Sequence, residues 1–241
     1  VLESTKGIFL HHIPYSDTSV IATIYTEKYG QLSFLVNGIR SKKAGSVINL
    51  FQPLFLLDLV ISYKQGRNLQ RIRDVQLAVP FTRILFDIKR SSQAIFIAEI
   101  LMKCMKEEEA NPELFSFLFH AICLLDLKDE GIANFLIVFL FRLTRYLGVF
   151  PQMPGSGGFR FFDLVSSSFR QDEPAHHSFM NAETTLKFSG LFRTDLSELE
   201  KLSFKNEHRT VLMSKLLEYY KIHLDLTGEI KSFTVLKEVL E

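Results

Sequence analysis

Along the first third of the chain, β-branched and aromatic residues fall in short runs separated by turn chemistry, the pattern of half-buried strands. Five such runs predict five strands: Gly7 to His12, Ser19 to Thr26, Gln31 to Val36, Pro53 to Tyr63 and Leu69 to Val79. Pro14, Tyr29-Gly30, Asn37-Gly38 and Gln65-Gly66 punctuate them, the glycines being free to take the positive φ of tight turns. Five short strands in so brief a stretch suit a small barrel that closes its own edges, and the OB type is one such solution.

Beyond Pro80 the apolar positions recur with the period of helices. From about Ile88 to Glu109, Ile97, Leu101 and Cys104 or Met105 share one face, while Lys89, Arg90, Glu99, Lys103 and Lys106 occupy the other. Asn111-Pro112-Glu113 opens a second helix with a capping residue, a proline at the first helical position and an acid in the first turn. A third, Ile132 to Leu147, is apolar on every side through its middle, which predicts the centre of a bundle; Gly148 and Pro151 stop it. From Pro151 to Gly190 the helical pattern lapses into a glycine-rich loop, a strand over Phe159 to Val165 and turns at Ser166 to Ser168 and Gln171 to Pro174. It returns at Asp195 to Glu198, runs from Arg209 to Leu226 after a cap at Asn206, and finishes with Ser232 to Leu240. The expected architecture is therefore α+β and multidomain. A five-stranded OB-type barrel spans residues 1–80, and an α-helical bundle spans 81–241 with an irregular, partly β excursion at 151–190.

Composition narrows the class. With 47% hydrophobic and 23% charged side chains over 241 residues, the chain can bury a sizeable core, which excludes collagenous, mucin-like and wholly disordered readings. The longest uninterrupted apolar run is Phe135 to Phe141, whereas a membrane helix needs about 20 residues, so no membrane association is expected. Cys104 and Cys123 sit in apolar helical segments and read as reduced core thiols. With charges at Glu3 and Lys6 where an export signal would be apolar, a cytoplasmic location is expected.

Net charge is only +1, yet it is unevenly divided. The first 80 residues hold nine bases against five acids, and the remainder holds 19 against 22. The excess gathers in Arg40, Lys42 and Lys43 after the third strand, and in Lys64, Arg67, Arg71 and Arg73 across the fourth turn. One reading makes these cations neutralise backbone phosphates, with Tyr25, Tyr29 or Phe34 offering outward rings to unpaired bases. The other makes Arg71 and Arg73 a solvated strand face and Lys42-Lys43 the decoration of a loop.

Catalytic signatures are missing: the chain has no P-loop, no Gly-x-Gly-x-x-Gly, no His-Glu-x-x-His and no Gly-x-Ser-x-Gly. An enzyme is not expected, nor a cofactor. His176-His177 beside Asp172 and Glu173 lacks a partner pair at ligand spacing, and adjacent histidines rarely converge on one ion.

Thr5-Lys-Gly-Ile-Phe-Leu10, Tyr15-Ser-Asp17, Thr26-Glu-Lys-Tyr-Gly30, Asn37-Gly-Ile-Arg40-Ser-Lys-Lys43, Leu50-Phe-Gln-Pro53, Ala98-Glu99-Ile-Leu101, Pro112-Glu-Leu-Phe115 and Arg145-Tyr-Leu-Gly148-Val-Phe-Pro151 follow one another along nearly the whole chain. In order and spacing they resemble the RecO family of bacterial recombination mediators. The resemblance implies an N-terminal OB domain followed by a helical domain, and a non-enzymatic role in DNA repair. That role is binding single- and double-stranded DNA, annealing complementary strands, and acting with RecR to let RecA load onto DNA coated by single-strand-binding protein. It also implies a site on the helical domain for the acidic C-terminal tail of that coating protein. By position, Arg142 and Arg145 are candidates for the tail's carboxylates, and Phe141 and Tyr146 for its apolar terminus. Alternatively, those arginines pair with acids inside the domain. Many relatives carry four zinc-binding cysteines in the excursion, whereas residues 151–190 contain none here. No bound zinc is expected, and either Phe159, Phe161, Phe162 and Leu164 hold the segment by packing or the segment is mobile.

Overall fold

A computed structural model describes residues 1–37, 45–105, 109–155, 158–224, 226 and 228–240. Two compact units emerge, the first of Val1–Asp126 with Ile230–Val239, the second centred on Leu127–Glu229.

The first unit is built on a closed barrel of strand order β1-β2-β3-β5-β4. Its strands are β1 (Leu2–Ser16), β2 (Ser19–Thr26), β3 (Gly30–Asn37), β4 (Leu56–Ser62) and β5 (Leu69–Leu77), with a short helix α1 (Gly45–Ile48) between β3 and β4. All pairings are antiparallel except β3 with β5, which closes the barrel through Ser33↔Leu69 and Phe34↔Gln70, the arrangement of an OB fold. β1 is long enough to pair with β4 through Leu2 to Ile8 and with β2 through Gly7 to Ser16. Where the two ladders overlap, Gly7 is required for space: a Cβ there would stand 2.6 Å from Ile24 Cγ2 and 2.8 Å from Leu59 Cδ1. Ile24, Phe34, Leu57 and Ile61, all without exposed surface, fill the core.

The helices α2 (Ile88–Cys104), α3 (Pro112–Leu127) and α7 (Lys231–Leu240) follow the predicted periods, although α2 ends at Cys104 with Met105 already extended. Asn111 caps α3 as expected, its Oδ1 accepting the Leu114 N–H at 3.0 Å. Sequence places a boundary at Pro80 because secondary-structure type changes there, yet the compact unit runs to Asp126. The reason is packing on the barrel: Phe115 of α3 lies against Tyr25, and the Lys6 ammonium sits 5.2 Å from the Phe119 ring centre. α7 is anchored in the same unit, since the Glu99 carboxylate of α2 accepts the N–H groups of Lys231 and Ser232 at 3.0 and 2.8 Å.

Between β5 and α2 the backbone is gathered by Asp126, whose carboxylate accepts N–H groups from Thr82, Arg83 and Ile84 and the Thr82 hydroxyl. Burial alone would raise its pKa, and those donors outweigh burial and hold it below the ordinary carboxylate value. The buried Arg90 completes the knot by donating to the Leu125 and Asp126 carbonyls and to Asp87.

In the second unit, α4 (Phe135–Tyr146) is buried from Phe135 to Phe141 without interruption, as its all-round apolarity predicts. α6 (Asn206–His223) packs on it, with the Tyr220 hydroxyl donating to Leu140 O at 2.7 Å. Asn206, expected as the cap, is the first helical residue of α6, and the N-cap is Lys205, one place earlier. The excursion is more ordered than its sequence suggests. β6 (Phe161–Asp163) lies between β7 (Ser168–Arg170) and β8 (Phe179–Met180) in an antiparallel sheet. The predicted lapse to Gly190 is corrected by α5 (Ala182–Gly190), capped by Asn181; it buries only Thr185 and Phe188, too thin a stripe to register as periodic. Asp163 organises the turn after β6 by accepting the N–H groups of Val165 and Ser166. Arg170 and His176 each approach the same carboxylate at 3.3 Å. Burial pushes its pKa up, and the Ser166, Val165 and Arg170 donors override that to leave it lowered.

Candidate nucleic-acid interface

Four cations of the sequence proposal, Lys64, Arg67, Arg71 and Arg73, lie along one loop and the strand that follows it, and all four are exposed. Gln70 fixes the loop. It sits on β5 at an inward position, 3% exposed, and its side-chain amide accepts the Lys64 N–H and donates to Lys64 O and Arg67 O, each at 2.9 Å. Gly66 takes φ +75° in open space, so glycine serves the turn's conformation and not its packing. Sequence reasoning missed Gln70; its signal was a polar residue on the strand face it shares with the half-buried Ile72.

Along β5 the simple alternation fails. Ser62 opposes Arg71 and Ile61 opposes Ile72, but Val60 opposes Asp74, which leaves Arg73 as the extra residue of a bulge. The cationic strip is also bounded. Across the outer ladders Lys6 faces Asp58 and Asp58 faces Gln76, and a hollow of about 390 Å³ there is lined by Glu27, Asp58 and Asp74 together with Lys6. Those carboxylates would repel a phosphate, so the cations of the loop end are the ones available to an anion.

Two candidate rings are corrected by burial. Phe34 has no exposed surface because β3 turns Leu32 and Phe34 into the barrel and Ser33 and Leu35 away from it. Tyr25 is 2% exposed, its ring 6.2 Å from that of Phe115, and burial pushes its hydroxyl up to about 12. Both belong to the core and neither is an outward platform. Tyr29 is different: it is half-buried in the β2–β3 turn and stacks on Tyr63, with ring centres 4.0 Å apart and planes 16° from parallel. Tyr63 follows directly on β4, between Ser62 and Lys64, and sequence reading passes over it. Arg40, Lys42 and Lys43 lie outside the described residues.

At the end of α4 the sequence proposal meets a closed surface. Phe141 has no exposure, enclosed by Phe150, Phe188 and Phe192 at 5.2, 5.4 and 4.8 Å, so it cannot receive a peptide terminus. Arg142 is half-buried, and its guanidinium donates through both Nε and Nη2 to Thr194 O, a carbonyl where an acid was the alternative expectation. Burial lowers its pKa, offset in part by Asp195. Arg145 is exposed above the Phe150 ring at 4.8 Å, and Tyr146 is half-buried.

Among the described residues no group of three or more His, Cys, Asp or Glu side chains converges as metal ligands would, and no helix is long and apolar enough to cross a membrane.

Family models supply an independent comparison. Residues 2–81 match the model described as recombination protein O N terminal, and residues 85–232 match recombination protein O C terminal. The chain is 36% identical over 242 residues to the DNA repair protein RecO of Bacteroides fragilis, covering 100% of both chains. It is 35% identical over 239 residues to that of Phocaeicola vulgatus, covering 99% of each, and 35% identical over 238 residues to that of Flavobacterium psychrophilum, covering 98% of each. With both halves matched in order and full-length identity at this level, the chain belongs to the RecO family.

Proposed function

We propose that the protein is a non-catalytic DNA repair and recombination mediator. It binds single- and double-stranded DNA through the barrel and anneals complementary strands. With RecR, it helps RecA load onto DNA coated by single-strand-binding protein, acting in the cytoplasm on the nucleoid. One observation carries the DNA-binding reading: four exposed cations lie on β5 and the loop before it, and a buried glutamine fixes that loop's backbone, so phosphates would meet positive charge without first ordering a loop. Arg40, Lys42 and Lys43 would add charge to the same activity. For the coating protein's tail, the reading rests on the exposed Arg145, with the half-buried Tyr146 beside it in the chain, because Phe141 has no exposed surface and Arg142 donates to the Thr194 carbonyl.

Binding to a fluorescent single strand across a salt series tests this. Replacing Lys64, Arg67, Arg71 and Arg73 by alanine should weaken binding to all sequences and flatten the logarithmic salt slope by up to about 3. A slope unchanged by the four replacements would move the DNA surface elsewhere.

A second reading, an adaptor in which the barrel is only scaffold, is favoured by one feature. Leu85, Phe86 and Ile88 are 48, 84 and 69% exposed beside the Asp126 knot, an apolar group suited to a protein partner. An adaptor would leave complementary strands annealing at their spontaneous rate.

A further inference from the structure

Two tyrosines far apart in sequence meet at the end of the barrel where the cationic loop begins. Tyr29 sits in the β2–β3 turn after Lys28, and Tyr63 follows β4 directly, before Lys64, so two Lys/Tyr neighbours converge. Their rings are nearly parallel at 4.0 Å, and each retains part of its surface in solvent. The backbones beneath them are fixed: the Tyr29 N–H donates to Thr26 Oγ1 at 3.2 Å, and the Tyr63 N–H donates to Val1 O at 3.0 Å. Thr26 in turn donates to Gly30 O at 2.9 Å, closing the turn that carries Tyr29. Glu3 is engaged by the Lys28 ammonium at 3.5 Å.

Each ring uses one face on its partner, and together they form one aromatic block flanked in the chain by Lys28 and Lys64. Every base has a π-face, so such a block is matched to an unpaired base whatever its identity, whereas paired bases within a duplex have no face to offer it. Tyr25 and Phe34, the other aromatics of these strands, are enclosed and cannot serve. We propose that the Tyr29–Tyr63 pair is a base-stacking platform that distinguishes single-stranded from duplex DNA, while the adjacent cations bind phosphate in either. This rests on the reading of the barrel as a DNA-binding surface and specifies which part of the strand each group contacts.

The test uses the full chain with three fluorescent ligands of equal length: a thymidine oligonucleotide, an abasic oligonucleotide and a duplex. Changing Tyr29→Ala and Tyr63→Ala together should lower affinity for the thymidine strand about 5- to 100-fold, the scale of losing one stacked base. Abasic and duplex affinities, and the salt slope, should stay as in the unaltered protein. Equal affinity for thymidine, or an equal loss on the abasic strand, would overturn the platform. Should the alanine pair disturb folding, Tyr29→Phe with Tyr63→Phe keeps both rings. The chain has seven tyrosines and no tryptophan, so stacking at these two should dominate quenching of the intrinsic emission by thymidine. The phenylalanine pair should keep affinity and lose most of that quench; an undiminished quench would overturn the proposal. If the unaltered protein binds none of the three ligands at low salt, the parent reading fails; salt-sensitive binding to all three with no tyrosine effect removes the platform alone.

Discussion

The barrel segment from Tyr63 to Arg73 and the helix end from Phe141 to Tyr146 look alike as sequence, each combining arginines with tyrosine or phenylalanine. In the structure they are opposites. On the barrel, a buried polar residue holds the backbone and leaves four cations in solvent. On α4 the helical period turns Phe141 into an aromatic cluster and draws Arg142 onto the Thr194 carbonyl. A cation next to an aromatic is thus open to a ligand only where its side chain reaches solvent, and local composition does not say which case applies.

The contrast is broken most sharply by exchanging the expected phenotypes. Phe141→Ala removes a ring with no exposed surface from contact with Phe150, Phe188 and Phe192, and should cost about 3–5 kcal/mol of stability. Denaturant unfolding would show it. Replacing the four barrel cations should leave the unfolding midpoint nearly unmoved while altering DNA binding. A stable Phe141→Ala protein would mean that the cluster tolerates the cavity and that α4 is less committed than its burial implies.

Next in size is Gln70→Leu, which keeps the bulk and removes three hydrogen bonds from the loop. With the Lys64 and Arg67 carbonyls left to find other donors, a cost of about 1–3 kcal/mol is expected. No charge changes, so the salt slope should persist while affinity falls several-fold. An unaltered affinity would show that the loop cations bind equally well from a disordered backbone.

A pH titration compares the two units by a shared device. Asp126 in the first and Asp163 in the second each gather backbone N–H groups, and each has a folded-state pKa lowered below its ordinary 3.8. A carboxylate whose pKa falls on folding contributes stability that is whole above its unfolded value. That contribution disappears as pH drops through the lower folded value. Both units should therefore lose stability on acidification from about pH 4 downward. Asp126→Asn should flatten that dependence through the first unit and Asp163→Asn through the second, each with lower stability at neutral pH. An acid profile untouched by either change would assign the sensitivity to other carboxylates.

How much of this was legible follows from the range of the interactions involved. β2 was read from Ser19 to Thr26, as it is found, because alternation and turns are local signals. The burial of Tyr25 was not, because it depends on Phe115, which lies 90 residues away in sequence. Phe34 was misassigned by a single step of register, the kind of error that turns every side chain of a strand over. The Arg73 bulge and the Gln70 clasp depend on how β4 meets β5, and only the inward polar residue hinted at it. In the excursion, the cysteine-free sequence suggested aromatic packing alone; the buried Asp163, with Arg170 and His176 on it, is the polar tie that a count of phenylalanines could not reveal.

The smallest expected effect is the one that decides whether the helix end has any role outside the fold. Arg145 is the exposed cation of that group, its guanidinium 4.8 Å from the Phe150 ring centre, a contact at an exposed site worth about 0.5–1 kcal/mol. Arg145→Ala should hardly shift the melting temperature and should leave binding to naked DNA untouched, since the barrel cations remain. If the tail of single-strand-binding protein docks here, affinity for a peptide of that tail should fall several-fold, because a carboxylate loses its charged donor. An unchanged peptide affinity would make the α4 terminus structural throughout. The two basic groups would then differ in role as well as in burial, with the exposed cations of β5 and its loop available to a ligand and those of α4 spent on contacts within the fold.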